Sequence, residues 1–262
     1  LIKRLWVSMI LLLYLPPAAF CSQPLITEDA ATQGRGKFQV EMHGQVGMDR
    51  EEQTDETGVP LVVKSRISEV KTVLTYGLVD SADIILAAPY QWSSREMDDR
   101  SIFDENGFSD ISIDLKWRFF EKDRFSFAIK PGITLPVGDE ERYLGTGRMT
   151  LSLYFIATAQ WDPLVFHCNL GYIRNENKID QRVDLYHASL AGEWKASNKL
   201  RLVANAGVEE NTDRTSSEDR AFVLGGVIYS PTGRLDLDAG MKVGITREET
   251  DYIFMGGVTF RF

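Results

Sequence analysis

From Lys37 to the C-terminus the sequence repeats one pattern: a run of roughly ten to fourteen residues that alternates apolar with polar, then a break. A period of two puts every apolar side chain of a run on one face of a strand. In 109–119, Ile111, Ile113, Leu115, Trp117 and Phe119 oppose Asp110, Ser112, Asp114, Lys116 and Arg118. In 235–246, Leu237, Ala239, Met241, Val243 and Ile245 oppose Asp236, Asp238, Lys242 and Thr246. Comparable runs occupy 37–48, 68–76, 83–92, 125–135, 150–161, 164–172, 185–195, 200–209 and 251–262, whereas 221–230 is apolar on both faces. The reading is about twelve strands and no convincing helix.

The breaks alternate in length. Those at 49–67, 93–108, 137–148, 174–184 and 211–220 are long, and those at 77–82, 120–124, 162–163, 196–199 and 231–234 are short. An up-and-down meander produces this pattern, with long loops at one end and short turns at the other. No break exceeds about 20 residues, so no internal domain boundary is expected.

Composition narrows the function classes. Twenty-nine Lys and Arg against 38 Asp and Glu leave a net charge of −9. A nucleic-acid binder would need a basic stripe to displace counterions, and none is present. Two cysteines, Cys21 and Cys168, cannot build a disulfide framework or a multi-cysteine metal site. The three histidines, His43, His167 and His187, are widely spaced and form no zinc-ligand pair. No metal or cofactor is expected.

The start of the chain reads as a targeting segment. Lys3 and Arg4 precede an apolar run from Leu5 to Leu15, followed by Pro16, Pro17, Ala18 and Ala19. This is a cleavable signal peptide over 1–21; its apolar run is too short to span a bilayer. Residues 22–36 are expected to form a periplasmic N-terminal segment, and 37–262 the folded body.

Alternation is the same in a soluble barrel and in a membrane barrel, so lipid must be argued separately. Even strand number with alternating short and long connections is the outer-membrane pattern. Aromatics crowd the ends of the apolar faces: Trp117, Phe119, Trp161, Trp194 and Phe260 near the short turns, and Tyr90, Trp92 and Tyr252 near the long loops. Such girdles belong to membrane interfaces. The last strand alternates to Phe260 and Phe262, the kind of C-terminal signal read by the outer-membrane assembly machinery. The expected fold is all-β: a closed antiparallel up-and-down transmembrane β-barrel of about twelve strands in the outer membrane of a Gram-negative cell, its partners the lipid bilayer and that machinery. The competing reading is a secreted soluble β-protein.

A bilayer permits only closed sheets, so the first strand should pair with the last. The polar faces then point inward. Lys116, Arg118, Lys130, Glu193, Lys195, Arg201, Asp236, Asp238 and Lys242 would line a narrow, wet lumen. Their ordinary role is pairing across the lumen; the alternative is guidance of a solute. Pro131 interrupts a strand that closure makes central, and proline gives the ladder no N–H. With Gly132 beside it, a bulge or inward kink at 130–132 is expected.

Four segments occur together that resemble a known family. They are Gln23-Pro24-Leu25-Ile26-Thr27-Glu28-Asp29-Ala30, Tyr76-Gly77-Leu78-Val79-Asp80, Lys130-Pro131-Gly132-Ile133-Thr134-Leu135-Pro136-Val137-Gly138-Asp139 and Leu144-Gly145-Thr146-Gly147. In this order, ahead of a barrel-type C-terminus, the chain resembles the putative MetA pathway of phenol degradation family of outer-membrane barrels. The resemblance implies a transporter-like protein for small molecules, aromatic or hydrophobic ones among them.

Two motifs bear on enzymatic or metal chemistry. His187 and Ser189 share one face of a strand, as in some outer-membrane lipases, but Glu193 lies about 20 Å along the strand from His187 at ~3.4 Å per residue. Gly138-Asp139-Glu140-Glu141 is an acidic loop before it is a Ca²⁺ site. No enzyme is expected. The function read from the sequence is a passive channel for small molecules; the alternative is a structural or surface-binding barrel.

Overall fold

The computed structural model describes residues 24–54, 60–98 and 100–262. The expected signal peptide lies outside the described residues. The alternating runs are strands: β1 (Phe38–Thr54), β2 (Pro60–Val79), β3 (Ala82–Met97), β4 (Arg100–Phe108), β5 (Ile111–Lys122), β6 (Phe125–Leu135), β7 (Thr150–Trp161), β8 (Leu164–Arg174), β9 (Asp184–Lys195), β10 (Leu200–Glu209), β11 (Arg220–Thr232), β12 (Leu235–Gly244) and β13 (Tyr252–Arg261). The one described helix is a 3₁₀ turn at Glu140–Arg142.

Every stave pairs antiparallel with its neighbour, and the sheet closes through β1 and β13, with Gln39 opposite Arg261 and Met48 opposite Tyr252. The backbone of Phe38 exchanges both hydrogen bonds with Phe262, so the C-terminal residue is tied into the seam. Thirteen strands make twelve staves. β4 and β5 both run antiparallel to β3, β4 along Tyr90–Met97 and β5 along Ala82–Ala87. They are one stave broken at Ser109–Asp110.

The apolar faces point outward, as lipid contact requires. Leu153, Phe155, Leu170, Leu190, Leu202, Val227, Leu237 and Phe254 are all exposed on the outer wall. Aromatic girdles bracket this band. Phe125 meets Trp161 at 5.6 Å near the short turns, and Tyr90 meets Trp92 at 4.7 Å and Phe108 at 5.1 Å near the long loops.

Three expectations need correction. Much of 49–67 and 93–108, read as loops, is strand. Here β1 to β4 continue beyond β13, which stops opposite Met48. Above the lipid neither face must be apolar, so these residues keep their ladder without the alternation that would announce it. The second concerns Pro131, where no register-shifting bulge forms but the β5–β6 ladder is interrupted. Its register with β7 is unshifted, Pro131 facing Leu153, and the β5–β6 register is the same at Asp114–Gly132 and Trp117–Ile129. The missing N–H costs only the ladder pairs at Leu115 and Lys116; the bulge lies at Arg118–Phe120 instead. Third, 22–36 was expected in the periplasm. Residues 24–33 lie inside the barrel, for reasons taken up below.

Two outcomes follow from this wall. Leu170 is 54% exposed on the outer face of β8. Leu170→Arg should destabilise the folded barrel in bilayers by about 2–4 kcal/mol, read from denaturant titration. The short turns and both ends of the barrel chain share one rim, which must be periplasmic if the termini are. Cysteines placed at Asp180 or Ser217 should then react with an impermeant thiol reagent on intact cells, and cysteines at Asp123 or Asn198 should not. The opposite labelling would invert the topology.

Candidate functional site

Twelve staves enclose more space than their own side chains fill. The described N-terminal residues occupy much of it. Segment 24–33 crosses the lumen and hydrogen-bonds to wall after wall. Asn205 on β10 accepts from the backbone N–H of Ile26 (2.8 Å) and of Thr27 (3.1 Å), and donates to the Thr27 hydroxyl (2.7 Å). The Thr27 hydroxyl donates to Ser189 on β9 at 2.7 Å. Asn169 on β8 accepts from the Glu28 N–H and donates to the Glu28 carbonyl. Thr158 on β7 accepts from Ala30 N–H at 2.9 Å, and Asp83 on β3 from Gln33 N–H at 2.9 Å. An extended segment with no partner strand would leave its amides unpaired; luminal amides, hydroxyls and a carboxylate replace the ladder.

Charge and apolar contact complete the docking. Glu28 is ion-paired with Lys130 of β6, and Lys116 of β5 donates to the Asp29 carbonyl at 3.4 Å. Leu25 packs on Ala191, Val203 and Ile228, and Ala30 on Ala128 and Ile156. In 221–230, apolar on both faces, Ile228 is buried against Leu25, Phe222 and Leu224 are also buried inside, and Val223, Val227 and Tyr229 face out. Pro24 lies against Gly226 and Gly240, where an added Cβ would come within 2.5 Å and 2.7 Å of its ring. At the other end Gly34 abuts Gly77, whose Cβ would fall 1.9 Å from the Gly34 carbonyl oxygen.

Below the plug, towards the short turns, a chain of polar contacts runs round the wall. Gln39 accepts from Arg261 (3.0 Å), Arg261 pairs with Asp236 (2.9 Å), and Asp236 with Arg201 (3.0 Å). Arg201 pairs with Glu193 (3.0 Å), Glu193 meets His167 (3.3 Å), and His167 meets Thr158 (3.0 Å), which holds the plug. Ser230 adds a bond to Asp236 at 2.6 Å. The belt joins β1, β13, β12, β11, β10, β9, β8 and β7. Removing Asp236 would take away the carboxylate that Arg201 and Arg261 share, a loss of about 3–5 kcal/mol.

The nine charges singled out from the sequence distribute as follows. Lys116, Glu193, Arg201, Asp236, Asp238 and Lys242 are buried inside the barrel, and Lys130 is nearly so. Lys242 pairs with Glu249 at 3.0 Å near the long loops. Arg118 sits at the short-turn rim, donating to the Asp80 carbonyl at 3.2 Å. Lys195 is exposed at the end of β9 beside Asp162 (3.6 Å) and does not join the lumen cluster. Selecting charges alone missed Asn169, Asn205, Thr158 and Ser189, which hold the plug; their signal was a polar side chain on the inward phase.

The long-loop rim is built around the stave break. Asp110 accepts from Gly138 N–H (3.0 Å), Thr146 N–H (2.8 Å) and the Thr146 hydroxyl (2.9 Å). Arg142 reaches Glu105 at 2.5 Å, and Lys178 bonds Glu140, holding that carboxyl below the usual range. The acidic stretch 138–141 is therefore a brace between loops. Between plug and wall a cavity of about 530 Å³ remains, lined by Glu41, His43, Glu69, Lys71, Asp114 and Lys130 among others and reaching Glu249 and Thr250 of the long loops.

His187 does find a carboxylate, from the neighbouring strand: Glu209 stands 3.4 Å from Nδ1, and Ser189 2.9 Å from Nε2. The Ser189 hydroxyl is taken by Thr27, and the cavity lies against the opposite wall. Ser189 of this trio anchors the plug.

A closed barrel with a lipid-facing outer wall and a polar lumen filled by its own N-terminal segment defines a β-barrel protein of the outer membrane. The family model described as putative MetA-pathway of phenol degradation matches residues 26–262, and the chain belongs to that family. No curated protein matches the sequence. Among solved structures it is similar to the COG4313 outer membrane channel from Pseudomonas putida F1, with 13% identity, a TM-score of 0.67, and 95% of this chain covering 100% of that one. The NanC porin aligns with 8% identity and a TM-score of 0.55, over 84% of this chain and 98% of that one. At such identities the likeness is one of fold.

Asn205 is the single side chain on which the plug most depends. Asn205→Ala removes one acceptor from two amides and should weaken plug docking by about 2–4 kcal/mol. The rate at which a thiol reagent reaches a cysteine at Ala31 should rise at least about tenfold. An unchanged rate would show that Asn205 is not the anchor.

Proposed function

We propose that this protein is a gated channel for passive movement of small molecules across the outer membrane, aromatic or hydrophobic ones among them, and that segment 24–33 is its gate. The observation that carries this reading is the plug's attachment. It is joined to the lumen by side-chain hydrogen bonds, two lysine contacts and the apolar contacts of Pro24, Leu25 and Ala30, and by no ladder pairing with any stave. Such contacts can be exchanged for water or solute one at a time, whereas a paired strand would have to unzip. The cavity on the long-loop side gives a solute a place to arrive before the plug moves. Lys116, Lys130 and Lys242 would then guide a solute, while Glu193, Arg201, Asp236 and Asp238 keep the short-turn half in shape.

The alternative, a structural or surface-binding barrel, draws on the same contacts read as permanent. Locking the plug separates the two. Thr27→Cys with Ser189→Cys, whose hydroxyls stand 2.7 Å apart, should form a disulfide in a background lacking Cys21 and Cys168. In planar bilayers the oxidised form should lose the openings of the unlocked protein, and a reductant should restore them. Equal conductance in both forms would remove the gate.

A further inference from the structure

The plug covers a patch of wall whose chemistry goes beyond holding a peptide. Lys130 and Tyr154 face each other across β6 and β7, and Ala128 and Ile156 form the luminal pair two positions away. The Lys130 ammonium lies 5.1 Å from the centroid of the Tyr154 ring. Glu28 places a carboxylate on that ammonium, and Ala30 places a methyl group on Ala128 and Ile156, beside the same ring. A cation, an aromatic face and two aliphatic side chains thus lie within two adjacent cross-strand pairs.

Resting on the gated-channel reading above, we propose that this patch is a binding site for small carboxylates with an apolar body, and that Glu28 and Ala30 occupy it as a tethered stand-in. Two physical arguments lead there. Ala128 and Ile156 are fully buried although they face a lumen, and uncovering them to water is unfavourable unless something apolar replaces Ala30. A solute's ring or chain can do so. The charge argument points the same way. Glu28 is the ion-pair partner of Lys130, and Asp29 meets Lys116 through its carbonyl and its carboxylate. When the plug leaves, both ammonium groups lose these acceptors, and an anion is favoured over a cation in their place.

The route to the patch is already open. The cavity of about 530 Å³ touches Glu28, Lys130, Lys116, Lys71 and Asp114 while the plug is in place. That volume is in the range that holds a small organic ligand. An arriving carboxylate would exchange with Glu28 at Lys130, one like charge for another. Opening would thereby be coupled to the presence of the solute it admits.

The test uses the full-length protein in planar bilayers with three single-ring probes: benzoate, benzyl alcohol and benzylammonium. Benzoate should raise the open fraction saturably, and the other two should not. Glu28→Gln should lower the benzoate concentration for half-maximal opening, because the competing carboxylate is gone. Lys130→Gln, checked for folding by its heat-modifiable gel mobility, should abolish the benzoate response. It should also lower the benzoate-to-benzylammonium permeability ratio by about tenfold or more, the worth of one charge-assisted hydrogen bond. An equal response to all three probes, or a benzoate response that survives in Lys130→Gln, overturns the carboxylate site. In that event the locked-plug result above still stands as evidence for the gate; a locked plug that conducts freely overturns both.

Discussion

In hydrocarbon an unpaired backbone N–H has no water to turn to, so a sheet that crosses a bilayer must close on itself. The pairing of β1 with β13 is that closure, and much else here is a consequence of it. Closure with twelve staves fixes a diameter, the diameter leaves an interior, and the interior needs contents. Water would serve for a wide pore. Here the chain leading into β1 fills the space instead, entering between Pro24 at β11 and β12 and Gln33 at β3. The same closure makes the outer wall apolar and forces the polar groups inward, where they become hydrogen-bond partners for the plug.

Two populations of luminal polar groups result. Near the short turns Gln39, Arg261, Asp236, Arg201, Glu193 and His167 satisfy one another across seven consecutive staves. Buried pairs of this kind add little net stability over apolar packing, yet breaking one is costly, so they fix the register of the wall. Higher in the lumen Asn205, Ser189, Asn169, Thr158 and Lys130 reach away from the wall and hold the plug. A rigid ring below and an exchangeable set above is the arrangement a gate requires.

The four segments that carried the family resemblance are far apart in sequence and are explained by two structural junctions. The segment around Thr27-Glu28-Asp29 meets Lys130 in the lumen, and Thr32 and Arg35 bond to Asp80 at the short-turn rim, beside Gly77. Gly138 and Thr146 converge on Asp110 at the stave break. One junction docks the plug and the other braces the long-loop rim. The wall between them carries no such signature, because any residue that alternates correctly will serve there.

The sequence by itself determined the wall. Period-two alternation, the spacing of short and long breaks and the aromatic ends are one-dimensional signals, because a strand's two faces are set by local geometry alone. It also determined which charges point inward, with Lys195 displaced only because it sits where the strand ends. Only the tertiary structure decided what fills the barrel. Pro24 to Gln33 has no periodicity to read, since the backbone N–H groups of Ile26, Thr27, Glu28, Ala30 and Gln33 donate to side chains 50 to 179 positions away. The apolar luminal residues Ala128, Ile156 and Ile228 broke the inward-polar rule for the same reason: their partners are Ala30 and Leu25. The bulge at Pro131 failed to form because one missing N–H removes a ladder bond without shifting the register on either side, and only the paired neighbours could show it.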